Sequence, residues 1–257
     1  MNLIYVLLIF VPVGLLSNYL GGPELLTFGA AALGVVPLAG LIGEATESLA
    51  VRTGPRVGGL LNATLGNAAE LIITIFALRA GLVDLVKASI TGSILGNLLL
   101  VMGLSLLVGG LRNGQQKFDR VHAGIDSTML ILALIALAVP SIFSHAIEPN
   151  HAAVEYLSEG VAIAMLVVYG LELVYSFTSP TPVHPVIHEH GEAKWSVQRC
   201  VIVLLVATGF IAWSSEVLVG VVEHVVARLG WTEFFLGIII IPLVGNVAEH
   251  LVAVQVA

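Results

Sequence analysis

The chain has 257 residues, of which 58% are hydrophobic and only 11% are charged, and its formal net charge is −7. A soluble domain carries about twice that share of charged residues, roughly 25%, so the composition predicts an all-α polytopic membrane protein whose first partner is the lipid bilayer. It indicates no basic surface for nucleic acid and no phosphate-binding loop for ATP. We therefore expect no enzyme. The single cysteine, Cys200, excludes an intrachain disulfide.

Eight segments are apolar enough to cross a membrane, for which a helix needs about 20 residues. They are 2–20, 25–51, 57–79, 86–109, 121–142, 155–177, 199–222 and 233–257. The first lacks a positive leader region, so we expect it to remain as a span rather than to be a signal peptide. The connections are short, apart from a stretch rich in proline and histidine at 178–198, which predicts a linker between two halves.

The spans group into four regions: an N-terminal helix (1–24), a first five-helix repeat (25–177), the linker (178–198) and a partial second repeat (199–257). Successive connections alternate between the two sides of the membrane. The side of the N-terminus then holds Arg52, Arg56, Arg112, Lys117, Arg120, Lys194 and Arg199, whereas the other side holds Arg79, Lys87 and Arg228. Because positive loops stay in the cytoplasm, we expect a cytoplasmic N-terminus and linker. The short loops and the lack of a targeting extension favour a prokaryotic plasma membrane.

The third and eighth spans contain the same motif. Gly66, Asn67, Ala69 and Glu70 match Gly245, Asn246, Ala248 and Glu249 at a constant offset of 179 residues. Five spans separate matching elements, and since that number is odd, the second copy enters the membrane in the opposite direction. Inverted repeats are typical of secondary transporters, whose substrate site lies near the midplane where the repeats meet. A second pair, ATESLA with Glu47 and SSEVLV with Glu216, is similar at a different spacing.

Glu70 and Glu249 are the main candidates for a site. A charged residue near the centre of a spanning helix costs roughly 2.5–3.5 kcal/mol on insertion scales, and such residues usually face the bundle interior. Asn67 lies three residues before Glu70, and Asn246 three before Glu249, so each pair shares a helix face. Two facing copies would bring two carboxylates and two amide oxygens together. The alternative is a pair of protonated glutamates that only join helices by hydrogen bonds.

Other polar or small residues surround this pair. Ser93 and Asn97 share a face of the fourth span and either contact an ion or serve ordinary helix packing. Gly66 and Gly245 are expected to loosen their helices at the same depth, and Pro242 removes a helix hydrogen bond. Loosened helices would offer carbonyl oxygens to a cation.

Several further residues have two interpretations each. Glu44, Glu47 and Glu216 lie toward the ends of their spans, where they line an entry path or sit among hydrated headgroups. His250 is either a proton relay or a packing residue. In the linker, His184, His188 and His190 either bind a soft metal or are simply solvated.

The candidate ligands are all oxygens, which favour hard cations such as Ca²⁺, Mg²⁺ or Mn²⁺. Ca²⁺ takes six to eight oxygens in flexible geometry. Burial disfavours a charged carboxylate, whereas a bound cation favours it, so a proton and a divalent cation compete for one site. Competition combined with alternating access predicts an antiporter that is driven by ion gradients and needs no cofactor.

The runs GNAAELIITIFALRAGLVDLVKASITGSILGN and GIIIIPLVGNVAEH resemble the two signature repeats of the calcium/cation–proton antiporter (CAX) family. The resemblance implies exchange of Ca²⁺, or another divalent cation, for H⁺. It also implies eleven helices: one N-terminal helix and two inverted five-helix halves. Glu70 and Glu249 would bind Ca²⁺ and protons alternately, helped by Asn67 and Asn246.

By the repeat offset, Ala257 corresponds to Leu78, the end of the third span. Three helices of the family pattern would then be missing, so we expect a C-terminally truncated chain. This expectation keeps other hypotheses open. The chain could be a non-transporting scaffold, a half-transporter that needs a partner chain, a homo-oligomer, or a cation channel without proton coupling.

Overall fold

The computed structural model describes residues 3–115, 117–118, 120–146, 151–178 and 193–256, and for a few helical residues, Glu249 among them, it describes the backbone alone. Every regular element in these ranges is helical, which confirms the predicted all-α class. The three linker histidines lie outside the described residues. The helices are α1 (Phe10–Tyr19, after a 3-10 helix Leu3–Ile9), α2 (Glu24–Thr53), α3 (Pro55–Leu65), α4 (Ala68–Arg79), α5 (Val83–Leu95), α6 (Met102–Asn113), α7 (Arg120–Ala146), α8 (His151–Thr178), α9 (Val197–Gly220), α10 (Val222–Leu229), α11 (Glu233–Phe235) and α12 (Ile241–Val256).

The chain separates into two compact units. The first, Met1–Gln116 with His188–Ala257, contains α1–α6 and α9–α12. The second, Lys117–Ile187, contains α7 and α8, which pack against each other. The division into an N-terminal helix, two repeats and a linker stays a prediction.

Five helical stretches in the described ranges are long and apolar enough to span a membrane. They are Glu24–Thr53, Val83–Asn113, Ala123–Ser144, Ala152–Tyr175 and Val197–Gly220. A sixth span results if Val222–Leu229 and Glu233–Val247, which meet at an angle of 111°, count as one. The remaining predicted spans are the shorter apolar helix Ile4–Tyr19 and the interrupted pair α3–α4. Within the described residues, five of the eight predicted segments are thus long helical spans, and the other three are short, interrupted or bent.

The core of the first unit forms where α2 packs against α9. At one end, Arg52 Nε donates to the Trp195 carbonyl at 3.1 Å, just before α9 begins. At the other end, His224 Nε2, just after α9, lies 3.9 Å from Glu24 Oε1. The last turn of α2 is thus beside the start of α9, and the first turn is beside its end. The two helices that carry the matching ATESLA and SSEVLV segments run antiparallel, as an inverted repeat requires.

Helical geometry is interrupted at three places in the first unit. Gly66 and Asn67 form a turn that separates α3 from α4. Gly96–Val101, between α5 and α6, and Leu236–Ile240, between α11 and α12, are π-helical segments with a widened turn. Such segments are often found at functional sites.

The second π segment packs closely on α5, and two glycines permit this. A Cβ atom at Gly92 would lie 2.3 Å from the Ile238 carbonyl oxygen, and one at Gly237 would lie 2.6 Å from the Ala88 Cβ. Pro242 has no N–H to offer the Ile238 carbonyl four residues earlier. The carbonyl that the proline was predicted to free therefore lies directly against α5.

Candidate functional site

Three helices of the first unit meet at one oxygen atom, the Oε1 of Glu70. Glu70 lies in the first turn of α4, directly after the break at Gly66–Asn67. The Ser93 hydroxyl of α5 donates a hydrogen bond to Glu70 Oε1. The Asn246 Nδ2 of α12 donates to the same oxygen at 2.7 Å. The carboxylate thus joins the two motif copies through Asn246, and Ser93 contacts it directly.

Asn246 occupies the interior of this cluster, with only 1% of its surface exposed. Its Oδ1 is buried and finds no hydrogen-bond partner in the part of the chain that the structure describes. A buried polar atom without a partner is rare and calls for an explanation such as a bound ion or water. The neighbouring Gly245 is needed for this packing, because a Cβ there would lie 2.7 Å from the Glu70 Cγ.

A second contact joins the same helices one turn further along. The His250 Nε2 of α12 lies 3.1 Å from the Asn97 Oδ1 in the first π segment. Asn246 and His250 are four residues apart, as are Ser93 and Asn97, so the two contacts follow one face of each helix. The hydrogen bond is of the kind that the packing interpretation of His250 predicts. A role of His250 in proton relay stays a prediction.

The two copies of the motif differ in how much the structure describes. Asn67 is exposed at the N-cap position of α4. The side chain of Glu249 lies outside the described residues, so its meeting with Glu70 stays a prediction. Gly66 lies at a helix break, as expected. Gly245 lies inside the uninterrupted α12, so the expected loosening of this helix at Gly245 is wrong. The widened helical turn lies upstream of it, at Leu236–Ile240.

The residues predicted for an entry path have different surroundings. Glu44 accepts a hydrogen bond from the hydroxyl of Tyr5, a residue that the sequence interpretation missed. The sequence gives little reason to select Tyr5, because tyrosine is common near membrane surfaces. The available clue was that Tyr5 is the only polar side chain in Leu3–Ile9. Glu47 is half-buried in α2, and Glu216 is exposed on α9.

Three buried hydroxyl groups beside these glutamates were also missed. The oxygens of Thr46 in α2 and of Ser214 and Ser215 in α9 are buried and have no hydrogen-bond partner in the described ranges. Thr46 and Ser215 hold equivalent positions, because each precedes the glutamate of its segment. The available signal was this shared position in ATESLA and SSEVLV.

Among the described residues, no three His, Cys, Asp or Glu side chains come together as a metal-binding group. The side chains that meet the Glu70 carboxylate, Ser93 and Asn246, carry a hydroxyl and an amide group. Oxygen ligands of these kinds suit hard cations.

Comparison with protein families identifies the family of the chain. A model of the family described as sodium/calcium exchanger protein matches residues 24–178 and 200–257. The chain belongs to this family. It is 40% identical over 272 residues to a Ca²⁺/H⁺ antiporter of Aphanothece halophytica, covering 98% of this chain and 72% of that one. It is 41% identical over 265 residues to the Ca²⁺/H⁺ antiporter ChaA of Bacillus subtilis (strain 168), covering 100% and 75%.

Solved structures in the family have the same fold. The Ca²⁺/H⁺ antiporter protein YfkE superposes with a TM-score of 0.83 at 39% identity, covering 99% of this chain and 72% of that one. The H⁺/Ca²⁺ exchanger CAX superposes with a TM-score of 0.64 at 19% identity and supports the fold alone. These matches confirm the predicted resemblance. The predicted lack of three helices stays a prediction.

Proposed function

We propose that the chain exchanges Ca²⁺, or another divalent cation, for H⁺ across a membrane, at a site centred on Glu70. The observation that carries the proposal is the convergence of α4, α5 and α12 on Glu70 Oε1. Two relatives that are 40% and 41% identical to this chain are named Ca²⁺/H⁺ antiporters, and their names support the choice of ions.

The surroundings of Glu70 suit alternate binding of a cation and a proton. The carboxylate oxygen is oriented by Ser93 and Asn246, and the Asn246 Oδ1 is left as a buried acceptor. Such an acceptor can bind a cation directly or a protonated group through a hydrogen bond. Glu249 follows Asn246 by three residues, and so belongs to the same face of α12. We infer that it supplies the second carboxylate.

Alternating access in this proposal uses the inverted repeat. The antiparallel pair α2 and α9 is expected to line two related ion pathways, one open to each side of the membrane. An inverted copy repeats the pathway of the first copy on the opposite side. We further propose that the N-terminus faces the cytoplasm, on the basis of the distribution of lysine and arginine.

The test is uptake of Ca²⁺ into sealed vesicles that contain the purified chain, driven by an imposed pH gradient. We expect uptake in the wild type and its loss in Glu70→Gln and in Glu249→Gln, since glutamine keeps the size of the side chain but cannot exchange a proton. The matched control is Glu223→Gln, which alters an exposed glutamate on α10.

Each competing hypothesis predicts a different result. Unchanged uptake in both glutamine variants contradicts the proposed site. Ca²⁺ flux that does not dissipate the pH gradient indicates a channel. A wild-type chain that is folded but transports nothing favours the scaffold or half-transporter hypothesis.

A further inference from the structure

The N-terminal helix, which neither predicted repeat includes, packs closely against α2. A Cβ at Gly14 would lie 2.9 Å from the Ala31 backbone nitrogen, and a Cβ at Gly34 would lie 3.0 Å from the Val11 backbone nitrogen. The two backbones are therefore in direct contact. Small residues permit such close approach between membrane helices.

Hydrogen bonds hold the two ends of this helix pair. At the connection between the helices, the hydroxyl groups of Ser17 and Thr27 are 2.7 Å apart and buried. At the far end, the Tyr5 hydroxyl donates to Glu44 Oε1. The first bond joins two neutral groups, whereas the second orients a carboxyl group on α2.

Glu44 lies within α2 rather than at its end. It precedes the end of α2 at Thr53 by nine residues, which at a rise of 1.5 Å per residue is about 14 Å. A carboxyl group inside an apolar helix needs a polar partner, and the Tyr5 hydroxyl supplies one.

We propose that Tyr5 is a positioning residue for transport: it holds Glu44 in the orientation in which divalent cations meet this carboxylate on their way from the side of the N-terminus to Glu70. Tyr5 contacts no substrate itself and acts through Glu44. The inference rests on the proposed exchange of a divalent cation for H⁺. It assigns a role in that exchange to a helix that neither repeat contains.

The chemistry of the contact supports this role. A phenol hydroxyl donates one hydrogen bond, so it fixes one carboxylate oxygen and leaves the other to interact with a cation. The contact therefore orients the Glu44 carboxyl group without using both of its oxygens.

The test compares Tyr5→Phe with the wild type in pH-driven Ca²⁺ uptake, measured separately in vesicles of each orientation. Phenylalanine keeps the ring and removes only the donor. We expect the KM for Ca²⁺ presented on the side of the N-terminus to rise about five- to tenfold. This is less than the roughly 10- to 100-fold effect of losing a hydrogen bond to a charged group, because Tyr5 acts only through Glu44. We expect the maximal rate and the KM on the opposite side to stay unchanged.

Two further variants separate positioning from structure. Glu44→Gln keeps an acceptor but removes the charge, so it should raise the same KM, and adding Tyr5→Phe to it should cause no further rise. The matched control is Tyr19→Phe at the other end of α1, where the tyrosine is 86% exposed; it should change neither parameter.

The outcomes distinguish this inference from the proposed function. Wild-type exchange with an unaltered KM in Tyr5→Phe overturns the positioning role and leaves the proposed function standing. A lower melting temperature and maximal rate with an unaltered KM shows that the contact only stabilises the fold, which also overturns the role. Absence of exchange in the wild type overturns the proposed function and this inference with it.

Discussion

The two copies of the Gly-Asn-x-Ala-Glu motif lie on helices that are built differently. In the first copy, the chain turns at Gly66–Asn67 and a new helix begins. In the second copy, α12 runs through Gly245 and Asn246 without interruption, and its irregular part is the π segment Leu236–Ile240 upstream. The same residues are thus placed by a helix end in one copy and by a widened turn in the other.

The difference affects the two asparagines most. Asn67 is exposed at the start of α4, whereas Asn246 is completely buried and donates to Glu70. A sequence repeat therefore specifies which residues recur on the two helices but not how each is held there. The three predictions below test this asymmetry, beginning with the largest expected effect.

Gly245→Ala should abolish most of the exchange. Its methyl group would lie 2.7 Å from the Glu70 Cγ, so the carboxyl group has to move, and a displacement of about 1 Å in a positioned group costs up to about 100-fold in rate. The initial rate of Ca²⁺ uptake measures the effect. Gly103→Ala is the matched control, because a Cβ there meets nothing within 4 Å. A rate near that of the wild type in Gly245→Ala would show that this contact does not position Glu70.

Asn246→Ala should reduce the exchange rate more than Asn67→Ala does. The first change removes a hydrogen bond to a carboxylate, worth about 1.5–3 kcal/mol or roughly 10- to 100-fold. The second alters an exposed residue, so its effect should be smaller. Uptake rates of both variants, at equal amounts of folded protein, give the comparison. Equal losses would mean that the two copies contribute equally despite their different surroundings.

Gly92→Ala should destabilise the fold without touching Glu70. Its methyl group would meet the Ile238 carbonyl oxygen at 2.3 Å, and overpacking of this kind costs about 1–3 kcal/mol. Thermal unfolding in detergent measures the change. Gly96→Ala, one turn later, should have little effect because nothing lies within 4 Å of a Cβ there. If both variants unfolded like the wild type, the π segment would not need its close contact with α5.

The spans that the sequence predicts well are those in which apolar residues continue through regular helix, such as 25–51 for α2 and 121–142 for α7. Hydropathy measures the free energy of burial and carries no information on backbone continuity. The break at Gly66–Asn67 and the two π segments were therefore not located. The amphipathic α10 was counted as a connection, because its polar side chains include Glu223, His224 and Arg228.

The contact between Glu70 and Asn246 was predicted for a different reason. Glu70 and Asn246 stand out because polar groups are costly inside a membrane, and their repetition predicts that they meet. The donation by both Ser93 and Asn246 to one oxygen depends on how three helices pack, which no local pattern contains. Tyr5 escaped notice for the same reason, since its partner is 39 residues away.

The distances along the chain between the partners of Glu70 have a consequence for synthesis. Ser93 follows Glu70 by only 23 residues, whereas Asn246 follows it by 176. At roughly 5–20 residues per second, Ser93 emerges from the ribosome within seconds, but Asn246 needs about 10–35 seconds. During that interval Ser93 is already available to donate to the Glu70 carboxyl group, whereas Asn246 is not. Ser93 would then protect the nascent protein as well as orient the finished site.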